Sequence, residues 1–224
     1  MRTNNTNTPE IMAKIGDVCD VVPGYAFKSK DWQSSGIPVV KIKNIKEDGT
    51  IDLLDVDYVS EALLTSKLNK YILDDGSILI AMTGATAGKV GKLRTEKKVL
   101  LNQRVARIVP QSADYNYLWS VISSENYQRI FFKLADGAAQ PNMSGNQIEG
   151  VEIPLPDINE QQRIGRILSA YDELIENCQK RIRILEEMAR SLYREWFVNF
   201  RFPGHESARF IDSPLGRIPE GWVV

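Results

Sequence analysis

In the stretch SILIAMTGATAGKVGK, residues 77–92, an apolar run ends in two glycines and Lys89 follows the second directly. Strand, glycine turn and lysine are parts of a phosphate-binding loop, whose backbone N–H groups cradle phosphates and whose last hydroxyl holds Mg²⁺. Such a loop needs four residues between its glycines, then Ser or Thr after the lysine. Here three residues separate Gly84 from Gly88, and Val90 follows Lys89. The spacing argues against an ATP or GTP site and leaves a buried strand with tight turns after it. Other reactive groupings are equally incomplete. Cys19, Cys178 and the single histidine, His205, lack the spacing of a zinc site or a disulfide framework. Asp157 and Glu160 stand close together without the lysine that a nuclease carboxylate cluster needs, and His205 sits in a Pro-Gly segment that suits a surface role. Neither an Asn-Pro-Pro-Tyr-like methylation motif nor a glycine-rich cofactor fingerprint is present. These residues point away from an enzyme.

The formal net charge of −1 conceals a division along the chain. Residues 47–75 hold eight acidic and two basic side chains, whereas 89–107 hold seven basic and one acidic. Either these are two solvated faces that attract each other, or the basic stretch follows a phosphate backbone while the acidic one limits unspecific contact. On the second reading Lys89, Lys92, Arg94, Lys97 and Lys98, set beside glycine turns, are candidate phosphate contacts. Tyr25, Phe27, Lys28, Lys30 and Trp32 mix aromatic and basic residues around a turn, as nucleic-acid surfaces do, although Phe27 and Trp32 are residue types more often found in a core. Gln103 and Arg104 carry the bidentate groups that read adenine and guanine edges. A strand running through both would turn one of them inward. Gln140, Asn142, Ser144 and Asn146 form a polar loop that either reads bases or caps a helix at Ser144.

The elements that position these residues change character along the chain. Residues 1–14 begin with a polar run read as a flexible N-terminus, with neither a signal peptide nor a membrane-spanning stretch, so a reducing cytoplasm is expected. Residues 15–157 alternate short apolar runs with turn signals. In Ile37-Pro-Val-Val-Lys-Ile-Lys43 the spacing places Val40 and Ile42 on one strand face and Lys41 and Lys43 on the other. Ile78–Met82, Val99–Leu101 and Val105–Val109 read as further strands, and Val151–Ile153 as a last short one. Asp114 and Ser124 are placed to cap helices through Ser123 and Leu134. This is a mixed α+β domain. After Pro156, Asp157 and Glu160 have capping-box spacing, and no proline interrupts 158–200. Ile164, Tyr171, Cys178, Leu185 and Leu192 recur every seven residues, joined by Ile167, Leu174 and Met188, while Leu168, Ile175 and Ile182 widen the stripe. Roughly 40 residues at about 1.5 Å each make a rod of ~60 Å, long enough to need a partner helix and hence a coiled coil. The competing reading is a helix folded back on its own domain. Residues 201–224 form a linker.

In their order, these segments resemble one half of the DNA-specificity subunit of type I restriction-modification systems. The stretches that carry the resemblance are IGDVCDVVPGYAFKS (15–29), GIPVVKIKNI (36–45), GSILIAMTGATAGKVG (76–91), LNQRVARIVP (101–110) and GAAQPNMSGNQIEGVEIPLPDINEQQRIGRIL (137–168). The resemblance implies a target-recognition domain at 15–157 and a spacer or dimerisation helix at 158–200 that pairs antiparallel. Its apolar residues Ile164, Ile167, Tyr171, Leu174, Cys178, Leu185, Met188 and Leu192 would meet the partner. It also implies a non-catalytic chain that reads half of a bipartite double-stranded DNA site. S-adenosylmethionine, ATP and Mg²⁺ would belong to separate modification and restriction subunits. SPLGRIPEGWVV, at 213–224, resembles the opening of a second recognition domain, so that this half-length form would self-associate. The alternative from a different class is a coiled-coil assembly protein whose globular head binds protein. Steeply salt-dependent DNA affinity would separate the two.

Overall fold

The computed structural model describes residues 11–65, 67–135, 142–214 and 216–222. The chain forms two compact units, 1–169 and 170–224. In the first, the elements run β1 (Met12–Lys14), α1 (Ile15–Val18), β2 (Cys19–Pro23), β3 (Trp32–Gln33), β4 (Ile37–Val40), β5 (Asp57–Val59), β6 (Ile72–Leu73), β7 (Ile78–Ala81), β8 (Val90–Lys92), β9 (Val99–Leu101) and β10 (Val105–Pro110). Three helices follow, α2 (Tyr115–Ile122), α3 (Glu125–Ala135) and α4 (Gly145–Glu149), then β11 (Glu152–Pro154) and the start of α5 (Ile158–Tyr193).

Two sheets stack in the first unit, and alternation along β7 shows how. One sheet has the order β2-β10-β7-β8, the other β3-β5-β4-β9-β6, with β4 and β9 parallel. Ile78 and Ile80 of β7 face a core shared with Leu118, Ile122, Phe131 and Ile148 of the helices. Leu79 and Ala81 point the other way, into a core with Val40, Val99 and Leu101 of the second sheet. Successive side chains of a strand alternate between faces, so a strand between helices and a second sheet must be apolar throughout. The unit is therefore layered as helices, sheet, sheet. Phe27, Trp32 and Tyr71 cover the outer face of the second sheet, over Ile37, Val39, Val59 and Leu100.

The Ile37–Lys43 run departs from the half-buried strand that its alternation indicates. The strand ends at Val40, and Ile42–Asn44 is a 3-10 turn. Asn44 is the cause. Its buried side chain accepts from Lys41 N (2.8 Å) and donates to the carbonyls of Asp52 (3.0 Å) and Asp55 (2.8 Å), which bends the chain away from the sheet. Val39 and Val40 are both buried, one in each of two cores.

The caps follow the sequence signals. Asp114 accepts from Tyr117 N (2.9 Å), Ser144 from Gln147 N (3.3 Å) and Asp157 from Glu160 N (3.2 Å). The glycine-rich stretch is a packing device. Gly88 has φ +84, and a Cβ there would lie 2.6 Å from Phe132 N and 2.8 Å from Gln128 O, because the backbone of α3 rests on it. Cys19 is buried in the core between this sheet and the helices, and burial pushes its thiol up to about 12, reinforced by Asp20.

The division at 169/170 falls inside α5, whose first turns carry the buried Gln161 and Gly165. In the second unit α5 passes into a π-helical turn (Arg194–Val198). β12 (Phe210–Ser213) and β13 (Gly216–Pro219) then form an antiparallel hairpin. Phe197, Phe200, Phe202 and Trp222 cluster beside it, with ring centroids 5.2–5.8 Å apart. His205 Nδ1 lies 2.9 Å from the Phe202 carbonyl in this Pro-Gly turn and 3.7 Å from Glu206 Oε2.

Candidate nucleic-acid interface

The turn joining β9 to β10 presents Gln103 and Arg104, both exposed. Asn102, buried beneath them, accepts from Arg104 N through Oδ1 (3.2 Å) and holds the turn closed. Backbone hydrogen bonds fix it on both sides, Gln103 N to Tyr25 O (2.9 Å) and Met82 N to Arg104 O (2.9 Å). Met143 N donates in turn to Met82 O (2.9 Å), and Thr83 pairs with Asn142. One end of the first sheet thus carries a continuous edge running from Tyr25 through Gln103, Arg104 and Thr83 to Asn142 and Ser144. Gln103, Arg104, Asn142 and Ser144 are all exposed. The inward orientation expected for either Gln103 or Arg104 does not occur, because a tight turn lets both side chains leave the sheet.

Beside Tyr25 the aromatic and basic residues separate by role. Tyr25 meets Phe27 (5.0 Å) and Tyr71 (5.4 Å), and Phe27 meets Trp32 (5.3 Å). Phe27 and Trp32 are part of the packing on the second sheet, while Lys28 and Lys30 are exposed in the loop between them. Sequence reasoning missed two basic residues here. Lys41 Nζ lies 3.5 Å over the Trp32 ring and 3.0 Å from Asp57, and Lys70 Nζ lies 4.9 Å over Tyr71. The adjacent pair Lys70-Tyr71 was a usable signal; Lys41 was hidden inside an apparent strand. Hydrogen bonding from Lys41 holds the Asp57 carboxyl below its usual range.

The basic stretch does not behave as one surface. Lys92 is buried, 7% exposed, with Nζ 4.8 Å over Trp119 and 5.3 Å over Tyr115. Contrary to the expectation of a phosphate contact, β8 turns its side chain toward the helical layer and away from solvent. Lys89 Nζ is bound to Glu47 (2.9 Å), whose carboxyl this hydrogen bond holds below its usual range, and Arg94 reaches Asp75 (3.5 Å). Among the described residues, charges of the acidic and basic stretches thus pair with one another at Lys89–Glu47 and Arg94–Asp75, which supports the reading of mutually attracting faces. Lys97 and Lys98 are exposed. With Arg94 they lie at the opposite end of the sheet from Gln103, as the pairings Ile78↔Lys92 and Val105↔Ala81 require. Gln140 lies outside the described residues.

As a nucleotide cradle the glycine-rich turn is occupied by itself. Ala87 N donates to Gly84 O (3.0 Å), Gly88 N to Ala81 O (2.9 Å) and Lys89 N to Thr86 O (3.1 Å). Amides already bonded cannot hold phosphate oxygens. Among the described residues no group of His, Cys, Asp and Glu could hold a metal ion, and no helix is long and apolar enough to cross a membrane.

Along α5, Ile164 is half-buried, whereas Ile167, Tyr171, Leu174, Leu185, Met188 and Leu192 are 50–63% exposed. Cys178 is exposed between them. Leu168, Ile175 and Ile182 widen the same apolar face, at 40–56% exposure.

The model of the type I restriction modification DNA specificity domain matches residues 10–187. The type I restriction enzyme MjaIX specificity subunit of Methanocaldococcus jannaschii is 29% identical, across 94% of this chain and 49% of its own length. The EcoAI specificity subunit of Escherichia coli is 28% identical, across 75% of this chain and 28% of its own length. Among solved structures, the type I restriction-modification S subunit from M. genitalium covers 88% of this chain and 48% of its own, with a TM-score of 0.63 at 18% identity, a likeness of fold. The chain spans about half the length of the M. jannaschii relative, or less for the E. coli one. A match that runs through both sheets, all the short helices and most of α5 places the chain in the family of type I restriction modification DNA specificity domains.

Proposed function

We propose that this chain is a non-catalytic DNA-recognition module that reads one half of a bipartite sequence and directs modification and restriction subunits to it. The observation that carries this is the edge Tyr25–Gln103–Arg104–Asn142. It sets exposed bidentate side chains on a backbone fixed by the sheet, inside a chain that belongs to a DNA specificity family. Phosphate contacts position a protein on a duplex and base contacts specify. Lys28, Lys30 and Lys70 beside the edge suit the first task, Gln103 and Arg104 the second. The methyl-donor and nucleotide chemistry, with S-adenosylmethionine, ATP and Mg²⁺, belongs on the partner subunits. The exposed face of α5 is the docking surface for a helix, and a second copy running antiparallel is its occupant when no other partner is present.

Selection of duplexes from a random pool, with the modification subunit added, tests the reading. It should return a defined sequence whose affinity falls steeply with salt, by about 0.9 log units per log unit for each neutralised phosphate. An enriched pool without a shared sequence would overturn it.

A further inference from the structure

Tyr25 is tied to the turn that carries Gln103 and Arg104. Gly24 N donates to Val105 O (3.0 Å), Tyr25 N to Leu101 O (2.8 Å), and Gln103 N to Tyr25 O (2.9 Å). Only glycine fits before it, since a Cβ on residue 24 would lie 2.3 Å from Asn102 O and 2.5 Å from Leu101 O. The ring is held as firmly as the backbone. It meets Phe27 edge-on at 5.0 Å and Tyr71 at 5.4 Å. Arg107 of β10 donates to the carbonyls on either side of Tyr71, those of Ile72 (3.2 Å) and Lys70 (3.5 Å). The hydroxyls of Tyr115, Tyr117 and Tyr127 donate to the carbonyls of Gly76, Pro154 and Glu152. Tyr25 Oη has no such partner among the described residues, and the buried unpaired side-chain atoms there belong to Thr83, Thr86 and Arg107. The phenol oxygen is therefore a donor fixed in place and open to solvent.

We propose that Tyr25 is a phosphate contact that sets the register of the reading edge. Its hydroxyl donates to a backbone phosphate oxygen of the duplex while Gln103 and Arg104 meet base edges. The proposal rests on the DNA-reading function above. Charge selects a phosphate over a base. Lys28 and Lys30 are exposed in the loop after Phe27, and Lys70 Nζ lies 4.9 Å over Tyr71. The carboxylate of that loop, Asp31, is engaged by Lys28 N (2.7 Å). The excess of ammonium groups favours an anion beside the ring. A neutral, rigid donor of this kind fixes where a duplex sits without reading its sequence. Chain segments paired through their backbones lie about 4.8 Å apart, and base pairs stack at about 3.4 Å. The phosphate on Tyr25 therefore lies within about two nucleotides of the base that Gln103 reads.

The test uses the full chain, its selected duplex, and copies of that duplex in which one phosphate at a time is a neutral methylphosphonate. For the unmutated chain, one replacement close to the base read by Gln103 should weaken binding roughly tenfold, the loss of a hydrogen bond to a charged group. Tyr25→Phe keeps the ring contacts and should leave the thermal midpoint unchanged. It should weaken binding by the same factor on every sequence and keep the base preferences. Neutralising that phosphate should then cost the variant nothing further. The salt slope should also stay, because a neutral phenol displaces no counterion. The contact is overturned if Tyr25→Phe binds like the unmutated chain, still loses affinity at that methylphosphonate, or changes base preference. In each of those cases a sequence is still selected, and the DNA-reading function stands. If the unmutated chain selects no sequence, that function fails and the contact fails with it.

Discussion

Gln103 and Arg104 reach solvent from a turn whose backbone is held by Tyr25 on one side and Met82 on the other, so their side chains can be removed without disturbing it. Arg104→Ala and Gln103→Ala should each change stability by no more than about 0.5 kcal/mol, the usual range for surface substitutions. Each should relax discrimination at one base pair by roughly 1–3 kcal/mol, read by competition between single-base variants of the selected site. Lys98→Ala, at the far end of the sheet, should leave that discrimination intact. A loss of discrimination from Lys98→Ala alone would move the reading surface. Lys92 belongs to a different class. Because its ammonium sits among Trp119 and Tyr115, Lys92→Ala should lower the thermal midpoint and leave the salt slope of DNA binding unchanged. A slope flattened by about one unit would show that Lys92 meets a phosphate after all.

At the scale of elements, the strand and turn at 78–89 are closed by their own hydrogen bonds and by α3 against Gly88. ATP should therefore not raise the thermal midpoint of the chain, and Lys89→Ala, which opens only an exposed ion pair with Glu47, should leave that midpoint nearly unchanged. An ATP-dependent rise abolished by Lys89→Ala would restore the nucleotide reading. The apolar face of α5 calls for the opposite behaviour. Leu174, Leu185, Met188 and Leu192 are each at least half exposed, and covering such a side chain is worth roughly 1.5–3 kcal/mol. Leu174→Asp combined with Leu185→Asp should abolish self-association seen by light scattering while leaving the recognition domain folded. An unmutated chain that is monomeric at tens of micromolar would rule out self-pairing.

For the whole molecule, the proposed pairing of α5 with a second copy makes a prediction about the symmetry of the target. Two identical copies related by a twofold axis read the same half-site in opposite directions, so the chain acting alone should select an inverted repeat with an unread gap. The α5 double variant should then retain only weak binding to single half-sites. Sequencing the selected pool measures both. An asymmetric bipartite site would show that a different chain supplies the second domain.

The local chemistry of these residues already determined much of the chain. Caps at Asp114, Ser144 and Asp157, the all-apolar strand Ile78–Ala81 and the seven-residue repeat of α5 depend on neighbours a few positions away, where residue type and spacing carry the information. Family membership was legible for a related reason, since the ordered motifs span most of the matched region. Tertiary structure decided what lies far apart in sequence. It buried Lys92 between aromatic residues of α2 and tied Lys89 and Arg94 to acidic side chains 42 and 19 positions away. It bent the chain at Lys41 through a buried asparagine, and it brought Gln103 and Arg104 beside Tyr25 and Asn142. It also packed Gln161 and Gly165, widely separated in sequence from Asp114, against the cap of α2. A charge or an amide reads the same in sequence whether it faces water or a partner, and only the packing of the sheets and helices settles which.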